Sequence, residues 1–121
     1  MQVRLTKPLR PDGRDERSCL SIDRDYTVLA IESAMYRLVD DHGEPSLHDA
    51  DAFITTNNDR PEFWISIHTE DVDFDGPECW NVPGYFEDWH DSVPTTRLDF
   101  RRVLSLYYPD IIADLTPRRM R

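Results

Sequence analysis

The order of patterned segments predicts an α+β fold: four or five short strands come first and helices follow. Three observations carry that prediction. Strand-like runs fill residues 1–68, separated by turns at Asp12-Gly13, Asp41-His42-Gly43-Glu44-Pro45 and Thr56-Asn57-Asn58-Asp59-Arg60-Pro61. Beyond Gly76-Pro77, within residues 77–115, the apolar spacing changes to that of helices, and Thr116 to Arg121 read as a basic tail. Strands this short and closely spaced fit a small antiparallel SH3-like barrel or a curved sheet, and 121 residues are the length of a single domain.

Gln2 to Leu5 alternates apolar and polar residues as an edge strand would. A polar loop with two prolines runs from Lys7 to Ser18. Tyr26 to Glu32 is β-branched and aromatic and reads as one strand. Ser33-Ala34 is short enough for a hairpin to Met35–Asp40. Ser46-Leu47-His48 and Ala52–Thr55 are two further short strands, and Phe63–His68 places Phe63, Ile65 and Ile67 on one side of a half-buried one. Asn81 is the expected cap and Pro83 the first turn of a helix over Gly84–His90. Pro94 opens a longer helix whose apolar stripe is Phe100, Val103, Leu104 and Tyr107, with Arg97, Arg101 and Arg102 off it and expected to pair with Asp99 and the acidic middle of the chain.

Charge is segregated along the chain. Leu38 to Thr96 holds 15 Asp or Glu against one base, Arg60, while the flanking segments carry +1 and +3; the total is −10. Within it, Glu70 to Asp91 has 8 carboxylates and no Lys or Arg, yet contains Phe74, Trp80, Tyr85, Phe86 and Trp89. An acidic tract without rings is usually a solvating, disordered one. With rings it folds and presents a concentrated negative surface, which attracts a cationic partner and repels nucleic acid. Glu70, Asp71, Asp73, Asp75, Glu78, Glu87, Asp88 and Asp91 are the candidate contacts, with Trp80 and Tyr85 as aromatic anchors.

Catalytic and metal patterns are sparse. No Gly-x-Ser-x-Gly, Cys-x-x-Cys or phosphate-binding glycine loop occurs, and the chain has four glycines in all. His48, Asp49 and Asp51, and His68 with Glu70 and Asp71, combine imidazole and carboxylate as a metal site does. Turns are rich in both residue types, so no metal or other cofactor is expected. Asp71-Val72-Asp73-Phe74-Asp75-Gly76 opens like a calcium loop but has Val82 where the closing Glu belongs, and it reads as an acidic surface loop. Cys19 and Cys79 are expected to be free thiols. A mean hydropathy of −0.64 and the lack of a long apolar run or leader segment point to a cytoplasmic protein without a membrane span.

Leu20 to Leu29, followed by Tyr36-Arg37-Leu38-Val39-Asp40-Asp41-His42-Gly43, resembles the first half of an SH3-like barrel. It lacks the aromatic cluster of peptide-binding SH3 domains, so proline-rich recognition is not implied. The second half, with Trp80-x-x-Pro83-Gly84-Tyr85-Phe86-Glu87-x-x-His90-Asp91, resembles in type the immunity proteins of contact-dependent growth inhibition and other polymorphic toxin systems. That resemblance implies a non-catalytic monomer that binds a cognate basic toxin domain one to one, most plausibly a nuclease. Two alternatives stand beside it: an acidic nucleic-acid mimic that inhibits a DNA-binding protein, and a small metal-binding enzyme or domain on His48, Asp49, Asp51 and His68.

Overall fold

The computed structural model describes residues 1–115, so the basic tail from Thr116 lies outside the described residues. The fold is α+β, with eight strands in two antiparallel sheets and three α-helices after them. The described residues form two compact units, divided between Asn81 and Val82.

The first unit holds both sheets. Three strands, β1 (Gln2–Leu5), β2 (Asp25–Thr27) and β6 (Phe53–Asn57), form one sheet in the order β2-β1-β6. The other contains β3 (Ala30–Glu32), β4 (Met35–Val39), β5 (Pro45–Asp49), β7 (Trp64–His68) and β8 (Asp73–Pro77), in the order β5-β4-β3-β8-β7. Neither closes into a barrel. They share one core in which Val3, Leu5, Tyr26, Ala52 and Phe53 meet Leu38, with Ile31, Tyr36 and Trp64 packed against it.

Gln2–Leu5 does alternate, but the strand is central and pairs on both sides, so the edge assignment is corrected. The run Tyr26 to Glu32 is not one strand. Val28, Leu29 and Ala30 are all fully buried, and the run changes partner across them, from β1 at Thr27 to β4 at Ala30. The chain thus passes between the sheets: the Val28 N–H donates to Met1 O at 3.0 Å, and the Leu29 N–H to Arg37 O at 2.7 Å. The Ser33-Ala34 hairpin forms as expected, with φ of 50° and 62°. Those angles match the two-residue turn that follows the natural twist of the strands.

Asp73–Pro77 corrects the surface-loop reading, since it is a strand between β3 and β7. Gly76 permits it: a Cβ there would stand 2.7 Å from the Ala30 Cβ. Two acids, a glycine and a proline make a poor strand by propensity, and pairing on both sides overrides that.

In the second unit, α1 (Tyr85–His90) starts one residue late, because Gly84 takes φ +80° and no side chain caps the helix. Pro94 begins α2 (Pro94–Tyr107) in its first turn, as expected. Phe100 stacks edge-on against Phe86 at 6.0 Å and Trp89 at 6.1 Å, and Val103 and Leu104 are buried on the same stripe. Tyr107 leaves it, at 42% exposed, and Tyr108 is buried instead. The helix ends there and Tyr108 turns to φ −136°, which redirects its ring. A third helix, α3, spans Pro109–Leu115.

Candidate functional site

The acidic candidates of the first unit are organised by the β7–β8 hairpin. Thr69 closes its turn, accepting the Val72 N–H on its hydroxyl at 3.0 Å and donating its own N–H to Val72 O at 2.7 Å. Glu70 and Asp71 stand exposed at the tip. Register places Ser66 opposite Asp75 and His68 opposite Asp73, so these four side chains lie on one face.

Asp75 is the hub of that face, at 6% exposed. It accepts the Ser66 hydroxyl at 2.5 Å and faces His68 Nε2 at 3.1 Å and Arg60 Nη1 at 3.4 Å. Burial pushes its pKa up, but the bonds from Ser66 and His68 and the nearby cationic charges outweigh burial and hold it below the ordinary carboxylate value. His68 Nδ1 lies 2.6 Å from Asp73. Both ring nitrogens can donate to carboxylates only when the imidazole is charged. The bonds to Asp75 and then Asp73 accordingly raise the His68 pKa.

Of the ten candidates, Asp75 and Trp80 are buried and do not lie on a binding surface. Asp75 is a structural acid of the hairpin, and Trp80 is a core ring at 3% exposed rather than an anchor. Glu70, Asp71, Asp73 and Glu78 are exposed on the first unit. The second unit carries Glu87, Asp88 and Asp91, all exposed, and half-buried Tyr85, whose hydroxyl donates to Asp99 at 2.8 Å. Asp99 also pairs with Arg102 at 2.7 Å, while Arg97 lies over the Trp89 ring at 4.0 Å and donates to Trp89 O.

Few exposed acids of the tract are neutralised. Glu62, Glu70, Asp71, Glu78, Glu87, Asp88 and Asp91 make no ion pair to the described residues. Earlier acids contrast with them. Asp12, Asp15, Asp25, Glu32 and Asp41 each face an arginine, and Asp49 and Asp51 share Arg10, which is buried between them.

Those arginine pairs occupy the proposed metal donors Asp49 and Asp51. Among the described residues, no group of three or more His, Cys, Asp or Glu is arranged to hold a metal ion. His48 turns inward, with Nδ1 3.3 Å from Glu16 Oε2 and Nε2 2.8 Å from Ser46 Oγ. That connectivity resembles an acyl-transfer relay, and the sequence reading missed it although Ser46-x-His48 places both residues on one face of a strand. Ser46 is nonetheless a poor nucleophile here. Its hydroxyl donates to Asp40 Oδ2 at 3.0 Å, and a carboxylate beside it opposes the negative charge that an acyl transfer develops. Asp40 also receives the N–H groups of His42 and Glu44, which ties the chain of polar groups into the β4–β5 turn.

Cys19 is half-buried and Cys79 exposed, and neither is in a disulfide. No described helix is long and apolar enough to cross a membrane. Comparisons with protein-family models, curated proteins and solved structures find no match for this chain.

Proposed function

We propose that this chain is a binding protein that docks a cationic protein through its acidic surface, and specifically an immunity protein that neutralises a basic nuclease toxin domain. The observation that carries this is the set of exposed carboxylates at Glu62, Glu70, Asp71 and Glu78, and at Glu87, Asp88 and Asp91, without ion pairs to the described residues. Adjacent like charges left unneutralised, as at Glu70-Asp71 and Glu87-Asp88, repel each other, and a cationic partner relieves that repulsion. A nuclease must be positive where it holds phosphates, so a folded polyanion competes for the same surface.

Co-expression with a toxin domain encoded beside this gene tests the reading. Wild type should protect the cells, and the complex should weaken steeply with salt through its association rate. Reversing Glu70 and Asp71 to lysine should abolish protection while the protein stays folded. Full protection by that variant, or an association rate indifferent to salt, overturns the surface assignment. Displacement of DNA from a host DNA-binding protein, with no protection against a toxin, would instead favour the nucleic-acid mimic.

A further inference from the structure

We infer that the partner docks by adding a basic strand to the open edge of β7, an inference that rests on the acidic-surface reading. β7 ends the five-stranded sheet and, among the described strands, pairs only with β8. The alternate N–H and C=O groups of Ile65 to His68 that point away from β8 are therefore a template for another strand.

The other sheet edges are less suited to this. β5 begins on Pro45, β2 is three residues long, and β6 shifts register against β1. Proline, shortness and irregular pairing are the usual means of blunting an edge. β7 has five residues, no proline and continuous register with β8.

Charge selects the occupant. Glu62 precedes the strand, Glu70 and Asp71 follow it, and all three are exposed. If a second copy paired antiparallel about Ser66, Glu62 would stand opposite Glu70. Like charges opposed across a strand pair are destabilising, so that register disfavours a second copy. A strand with lysine or arginine near both ends meets carboxylates at both. Ser66 and His68 are exposed while Ile65 and Ile67 are half-buried, so the incoming strand should alternate polar and apolar residues.

The probe is an end-blocked peptide of about ten residues alternating lysine and valine. Its control is the same peptide N-methylated on every central amide, which keeps the charges and removes the strand hydrogen bonds. The unmodified peptide should slow exchange of alternate amides among Ile65–His68 by about tenfold or more, and the control should not. Changing Glu62 and Glu70 together to glutamine should weaken its binding by about tenfold. If both peptides bind equally, in a salt-sensitive way and without protecting β7, strand addition is wrong and acidic docking stands. If neither binds, acidic docking falls and strand addition with it.

Discussion

The two halves of the first unit treat acidic residues in opposite ways. Up to Asp51 most carboxylates lie against arginines: Arg37 is buried and reaches Glu32 at 2.8 Å, Arg10 bridges Asp49 and Asp51, and Arg24 reaches Asp41 at 3.0 Å. Asp41 also accepts the hydroxyl of buried Tyr26 at 2.6 Å, so its charge is built into the core boundary. From Glu62 to Glu78 the only base is Arg60 nearby, and His68 and Arg60 serve Asp73 and Asp75 alone. The first group of charges holds the fold together. The second, buried Asp75 apart, is displayed outward, which is expected of a surface kept for a partner.

Removing a partner from the paired half should have the largest effect on stability. Arg37→Ala leaves Glu32 and the Pro45 carbonyl without their buried donor, and should cost about 3–5 kcal/mol. Urea unfolding should show a lower midpoint with unchanged slope. An effect near that of a surface substitution would mean that the pairing in this half is incidental.

On the hairpin the critical contact is steric rather than charged. Gly76→Ala drives a methyl into Ala30 and to 3.0 Å from the Phe74 ring, and should cost about 1–3 kcal/mol by thermal unfolding. A neutral result would show that β8 can slide away from β3, weakening the account of Asp73–Pro77 as a built-in central strand.

Charge reversal at the hairpin tip should reverse that pattern. Glu70→Lys with Asp71→Lys should change stability by no more than about 0.5 kcal/mol by urea unfolding, while abolishing partner binding. A large loss of stability would place these acids with the paired group.

The smallest effect should come from pH. The folded His68 pKa lies above its ordinary value of 6.5, so its contribution is fully present below that value. It fades as pH rises through the higher folded value, since the neutral ring can no longer donate to both Asp75 and Asp73. Stability should therefore decline between weakly acidic and weakly alkaline pH, and the decline should shrink in His68→Gln. An unchanged decline would assign it to His42, whose pKa is also raised, first by its bond to Ser18 O.

Residues whose neighbours in sequence decide their conformation were legible without a structure. The Ser33-Ala34 hairpin, the turn at Asp40–Glu44, the strand Trp64–His68 and the Pro94 helix start all follow from local pattern and turn chemistry. Charge segregation was legible too, since it is a property of order along the chain. Whether each charge would be neutralised was not, because Asp49 meets Arg10 across 39 positions and Asp25 meets Arg4 across 21. The same holds for Asp75 and Trp80: an aspartate in an acidic run looks exposed until β3 and β7 pair on either side of it, and a tryptophan among polar residues looks exposed although it is buried at the end of the short turn Glu78–Trp80.

By itself, then, the sequence determined the local elements, their α+β order and the sign of the charge in each stretch, since turn residues and apolar periodicity act over a few bonds. Tertiary structure alone decided that Val28-Leu29 divides one apolar run between two sheets, that β8 is central, and which carboxylates remain displayed. Those outcomes depend on strand pairing and burial between distant residues, where cross-sheet contacts override local propensity.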